Sequence, residues 1–266
     1  MASGKVDHAR CLVPAARRAM RLAGATIALT TLAGAAGAAD WTSGYGSGAS
    51  AQPAGSIIAI DTSVTATTSN SIFANTSVTA ALTGDLDQTS GWRARVEGQV
   101  GSFEYRSGDD AKIIGNQQSG SALVGYEWAE PDVHVAAYIG FNYQNIKLDP
   151  VDPSNGTRGH GYGLRVVGEL YANPTPYTMV SAYGSYSTHA NAYYTRFKAG
   201  YALYDRTFIG PEFSMLGDDF YKQWRIGAHL SGLTFGRFQF GVSGGYVRDS
   251  RRGPGGYVLV DSRVTF

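Results

Sequence analysis

Charge, cysteine and helical periodicity are all scarce in this sequence, and each scarcity excludes something. Asp, Glu, Lys and Arg make up 16% of the 266 residues, against about 25% in an average soluble domain. Cysteine is reduced to Cys11, so neither an internal disulfide nor a thiolate metal cluster can hold the fold. No segment of ten or more residues carries a sustained apolar stripe at helical spacing, which rules out a helix bundle. A formal net charge of +1 removes the electrostatic case for a nucleic-acid partner.

Among what is present, the first forty residues are ordered like an export signal. Lys5, Arg10, Arg17, Arg18 and Arg21 form a basic front, Leu22 to Leu32 a short apolar stretch, and Gly34 to Ala39 a run of small residues. That order predicts a cleaved signal peptide over 1–38, and cleavage would also remove Cys11 and leave a mildly acidic chain. Residues 39–54 are small, polar and glycine-rich and are expected to form a flexible lead-in.

From 55 to 266 the period changes to two. In WRARVEGQV, Trp92, Ala94, Val96 and Val100 point one way while Arg93, Arg95, Glu97 and Gln99 point the other. Val133, Val135, Ile139 and Phe141 share a face, as do Leu164 and Val166 opposite Arg165 and Glu169, and Phe197 and Tyr201 opposite Arg196 and Lys198. Twelve such segments can be counted between 55 and 266, the first two of them Thr- and Ser-rich. The links are expected to divide by parity, tight near 130–132, 173–175, 205–206 and 234–236 with 84–90 somewhat longer, and in the alternate set long at 106–117, 148–158 and 249–255 but shorter near 188–191 and 217–220. The expected fold is all-β: a transmembrane antiparallel up-and-down barrel of about twelve strands in the outer membrane of a Gram-negative bacterium.

That fold sorts the polar side chains inward. The candidate lumen cluster is Arg93, Arg95, Glu97, Glu127, Arg165, Glu169, Arg196, Lys198, Glu212 and Arg225, joined by Asp261 and Arg263. Opposite charges in a narrow barrel can pair and fill it, and the alternative is a polar conduit for a hydrophilic solute. Trp92, Tyr126, Trp128, Tyr143, Tyr171 and Trp224 are expected in interfacial girdles. The chain closes on Phe266 with Val264, Val260 and Val258 on the same face, the pattern of an assembly signal read by the barrel assembly machinery.

Enzyme and metal motifs are missing. DLDQTSG spaces Asp85, Asp87 and Thr89 like a calcium loop, but Gly91 falls at position seven and Val96 at position twelve, where glycine at six and glutamate at twelve are needed. The stretch DPVDPSNGTRG is explained by turn formers. His134, His160, His189 and His229 stand in no HExxH, and there is no GxSxG. No cofactor is expected.

The segments LTGDLDQTSGWRAR (82–95), YIGFNYQNIKLDPVDPSNGTRG (138–159), GLRVVGE (163–169), SYSTHANAYYTRFKAGY (185–201) and GPEFSMLGDDFYKQWRIGAHLSG (210–232) resemble the cellulose biosynthesis protein BcsS family of alphaproteobacteria. The resemblance implies an outer-membrane protein tied to cellulose production or export, with membrane lipid and cellulose or its secretion components as partners. It brings no catalytic residues. Residues 42–69 depart from the family's usual wording, as does SRRGPGG. The rival expectations are a small porin or structural barrel without a polysaccharide, and a lipid-modifying or proteolytic barrel enzyme.

Overall fold

A computed structural model describes residues 55–86, 88–204 and 206–266; the expected signal peptide and lead-in lie outside the described residues. The strands are β1 (Ile58–Thr67), β2 (Ser71–Ala81), β3 (Gly91–Arg106), β4 (Lys112–Glu130), β5 (Val133–Asp149) and β6 (Gly159–Thr175). They continue with β7 (Thr178–Ser187), β8 (Ala192–Tyr204), β9 (Thr207–Gly217), β10 (Lys222–Phe235), β11 (Phe238–Asp249) and β12 (Gly253–Thr265). Each pairs antiparallel with its chain neighbours, and β1 pairs with β12 from Ala59↔Thr265 to Thr67↔Tyr257, which closes the sheet into a barrel.

The period-two pattern of the sequence becomes the two faces of the wall. Val96, Ile139 and Phe141 stand outside at 59%, 54% and 73% exposure, while Arg95 on the inner face retains 3%. A water-soluble core would have the opposite sorting. Apolar side chains outside and charge within suit a hydrocarbon solvent, where a closed sheet also leaves no backbone N–H or C=O unpaired.

The Thr- and Ser-rich β1 and β2 are full members of the wall. Their inward positions carry Asp61, Ser63, Thr65, Asn75, Ser77 and Thr79, all buried, and their outward ones Val64 and Ile72. Small polar residues thus occupy the lumen side, and the outward side keeps a thinner apolar cover.

The links divide between the two ends of the barrel. At the end holding both described chain termini lie 82–90, 131–132, 176–177, 205–206 and 236–237; at the opposite end lie 68–70, 107–111, 150–158, 188–191, 218–221 and 250–252. Parity therefore holds for the tight set. The expected long links at 106–117 and 249–255 are shorter because β4 already begins at Lys112 and β12 at Gly253. The link 82–90, expected as the longer member of the tight set, is as long as 150–158.

The outer belt makes a graded prediction. Ile139→Arg, near the middle of β5, should lower folding free energy in lipid vesicles by about 2–4 kcal/mol, and Val133→Arg at the strand end by about 0–1 kcal/mol. Equal losses in urea titrations of the two variants would contradict the placement of the belt.

Candidate functional site

The charged side chains gather inside the barrel in groups that run from one mouth to the other. At the termini end, Arg93 at the start of β3 is fully buried. Its Nε donates to Glu127 Oε2 at 2.7 Å, and its Nη atoms donate to the carbonyls of Thr83, Asp85 and Thr89 at 2.8, 2.7 and 2.7 Å. These bonds draw the long 82–90 link toward the lumen, and the Leu86 side chain is buried with it. His134 Nδ1 lies 3.3 Å from Glu127 Oε1 on the same group. The Asp85 carboxylate accepts from the N–H groups of Gln88 and Thr89 at 2.7 and 3.1 Å, the local bonding of a polar turn.

At mid-height the side chains reach across the lumen. Arg95 on β3 donates from Nη1 and Nη2 to both oxygens of Glu169 on β6, at 2.5 and 3.0 Å, and its guanidinium lies 4.0 Å over the ring of Tyr138. Arg165 Nε stands 3.2 Å from Glu97 Oε2 between the same two strands. A second group centres on Glu212 of β9. It accepts from Arg196 at 2.6 Å, Ser243 at 2.8 Å and the Tyr257 hydroxyl of β12 at 3.1 Å. Arg196 and Lys198 each lie 3.6 Å from Asp261. Arg225 donates to Gln223 at 2.8 Å and faces the Tyr257 ring.

The structure thus places all ten candidate lumen residues on the inner face, none above 5% exposure. Side chains lining a water-filled channel would be wet, so this level is packed shut. Asp61 on β1 is a further member, 3.8 Å from Arg263.

The inner face is not purely polar. Leu123, Ala136, Tyr138, Val167, Tyr183, Tyr194 and Leu216 form an apolar cluster within the barrel. Tyr171 is corrected by the same observation: it is 1% exposed and packs with Met179 and Phe208 inside instead of joining an outer girdle. Parity carried the signal, since Tyr171 continues the inward series of Arg165 and Glu169, and Tyr138 falls between the outward Ala137 and Ile139. The other expected girdle residues do lie on the outer face, with Trp92, Tyr126 and Trp128 in a contiguous aromatic row at the termini end and Trp224 against Tyr246 toward the other.

At the opposite mouth the link 150–158 turns inward. Asp152, Asn155 and Thr157 are buried, and the Tyr105 hydroxyl donates to Asp152 Oδ2 at 2.7 Å. Asp152 Oδ1 also accepts from the N–H and hydroxyl of Ser154 at 2.9 and 2.7 Å, and the hydrogen bonds from Ser154 and Tyr105 hold its carboxyl below the usual range. In the 218–221 link, Asp218 accepts from the N–H groups of Phe220 and Tyr221 at 2.7 and 3.0 Å. Burial nonetheless pushes its carboxyl up to about 6. Phe220 meets Tyr105 edge-on at 5.3 Å, and Arg251 lies 4.1 Å over the Phe220 ring.

The family model described as "Cellulose biosynthesis protein BcsS" matches residues 63–266. No curated protein matches the chain. Similar solved structures include a KdgM porin, 12% identical over 78% of this chain and 99% of that one, with a TM-score of 0.42. The translocator domain of the autotransporter NalP from Neisseria meningitidis is 11% identical over 95% and 96%, TM-score 0.45. The toluene transporter TodX of Pseudomonas putida is 9% identical over 80% and 89%, TM-score 0.43. These likenesses carry nothing about substrate.

The buried cross-lumen pair is open to a double-mutant test. Arg95→Met alone should cost about 3–5 kcal/mol, because Glu169 is left charged and buried, and adding Glu169→Leu should recover most of that loss. Additive losses in urea unfolding from micelles would contradict the pairing.

Proposed function

The chain belongs to the cellulose biosynthesis protein BcsS family, and on that premise we propose that it is a non-enzymatic outer-membrane barrel serving cellulose production or export from its rims, without conducting polymer through its lumen. The family match over 63–266 carries the tie to cellulose. The closed mid-level carries the mode of action. A glucan chain threading the barrel would have to displace Arg95 from Glu169 and Arg196 from Glu212 together, leaving charges buried without partners.

With the termini end in the periplasm, the rim formed by 68–70, 107–111, 150–158, 188–191, 218–221 and 250–252 faces outward. Val258, Val260 and Val264 lie along the outer face of β12 and Phe266 follows its last residue, a position from which assembly machinery could read them before β12 closes on β1. An enzymatic reading finds little support in the described histidines. His229 Nδ1 is 2.9 Å from the Ser231 hydroxyl, but the two are 2% and 0% exposed, and Nε2, the nitrogen a triad hydrolase turns to its serine, faces the Ala199 carbonyl.

A clean deletion of the gene should reduce extracellular cellulose and leave uptake of small hydrophilic solutes unchanged. Normal cellulose output in that strain would overturn the assignment. Slower solute uptake with unchanged cellulose would favour the porin reading.

A further inference from the structure

The outward rim is uneven, and one low point lies between two taller hairpins. β2 pairs with β3 only as far as Ile72↔Ser102, while β3 pairs with β4 up to Arg106↔Lys112. On the other side β1 pairs with β12 as far as Thr67↔Tyr257, while β12 pairs with β11 up to Asp249↔Gly253. The ends of β3 and β12 therefore stand above the β1–β2 hairpin by about four residues, or ~13 Å of strand. Three strand spacings separate them, a width of about 14 Å. A notch of that size opens the mouth sideways.

An open groove of about 400 Å³ occupies the notch. Ser69 and Asn70 form its sill, Glu104, Tyr105, Arg106 and Lys112 line the β3–β4 side, and Arg251 and Arg252 line it from the 250–252 link. Tyr105 belongs to the inner face of β3, whereas Glu104 and Arg106 belong by parity to the outer face. Side chains of both faces meet in one groove where the neighbouring strand has ended, so the groove crosses the wall.

Four cations and one carboxylate line it. Arg252 is committed to Asp249 Oδ2, at 2.9 and 2.6 Å from Nε and Nη2, and Arg251 donates to the Phe220 carbonyl at 3.2 Å. Arg106 and Lys112 are held more loosely. Arg106 faces Asp110 at 3.1 Å and Lys112 faces Glu104 at 2.9 Å, with both cations more than half exposed. Exposed pairs of this kind contribute little, so both side chains can turn to a stronger anion. A phosphate group accepts from a guanidinium and an ammonium together.

The level of the notch indicates where such a phosphate comes from. From the girdle residue Trp92 to Ser102, β3 climbs about 26 Å at a tilt of about 40°, against an apolar band about 25 Å tall. Glu104, Arg106 and Lys112 follow directly above that band, at the depth of lipid headgroups. Below the sill the outer face is shallow, with Ala66, Ala74, Thr76 and Gly98 turned to lipid beside Ile72 and Val100. That leaves room for an acyl chain beneath a headgroup.

We propose that the notch seats the phosphate of a phosphorylated lipid of the outer leaflet. Arg106 and Lys112 hold the phosphate, Arg251 faces it across the groove, and an acyl chain lies on the shallow face of β1 and β2. The proposal rests on the outward orientation of this rim given above and adds a lipid contact to it.

The test is native mass spectrometry of the full chain, purified and delipidated in detergent, titrated with bisphosphorylated lipid A, with dephosphorylated lipid A and with inorganic phosphate. Arg106→Gln combined with Lys112→Gln empties one side of the groove, and Arg251→Gln the other. Lys222→Gln removes an exposed cation of the same rim on β10 and serves as control. Heat-modifiable mobility on gels reports the folded barrel, and either groove variant carries the test should the other misfold. The parent should bind bisphosphorylated lipid A at least about tenfold more tightly than the dephosphorylated form. Each folded groove variant should lose at least about tenfold in affinity, ~1.4 kcal/mol, and Lys222→Gln should lose none. Equal binding of the two lipids, unchanged affinity in the folded groove variants, an equal loss in Lys222→Gln, or inorganic phosphate bound as tightly as the lipid would each overturn the proposal. Labelling of Asp109→Cys on intact cells with a membrane-impermeant maleimide, compared with the parent, checks the orientation separately. A labelled variant without lipid preference would sink the notch alone; an unlabelled one would sink the outward rim on which it rests.

Discussion

A barrel of twelve strands is wider than the eight that ordinary side chains just fill, and the structure answers that constraint with long polar residues that bond across the lumen. Arg95 joins β3 to β6 through both oxygens of Glu169, and Glu212 joins β9 to β12 through the Tyr257 hydroxyl. The apolar cluster of Leu123, Val167, Tyr194 and Leu216 fills much of what the charges leave. Pairing is what makes the burial tolerable, since an isolated ion at this level would cost several kcal/mol. The interior therefore works as a brace between parts of the wall three strands apart, and the chemistry available to partners is displaced to the mouths.

The two mouths are built differently. At the termini end a single buried arginine, Arg93, collects three carbonyls of the 82–90 link and pulls it inward. At the other end the link 150–158 is held by its own Asp152 and Asn155 turns and by Tyr105, and the 218–221 link leans on Arg251. Open space lies at this second mouth. Two segments that carry the family resemblance, 138–159 and 210–232, supply Asn155 and Phe220 to that same space.

The wall was legible in the sequence because a strand's faces alternate residue by residue, and all twelve segments became strands. Even β1 and β2 followed, although Thr and Ser gave them little apolar contrast. Tyr171 was misread because its aromatic ring suggested a girdle while its parity pointed inward, and burial of the ring with Met179 and Phe208 decided the matter. Other features lie beyond any local pattern. Arg95 and Glu169 are 74 residues apart and meet only once the barrel closes. The long 82–90 link looked like a polar turn, and its tether to Arg93 depends on where β3 begins. The ring contact of Tyr105 on β3 with Phe220 in the 218–221 link likewise joins residues that share no sequence signal.

The central claim is that the lumen is closed by its own side chains, and the conductance of the purified protein in a planar lipid bilayer tests it most directly. The parent should show no steady open-channel current, and replacing Arg95, Glu169, Arg196 and Glu212 together with alanine should create one in whatever fraction still folds. A stable, ohmic current through the unaltered protein would contradict the account.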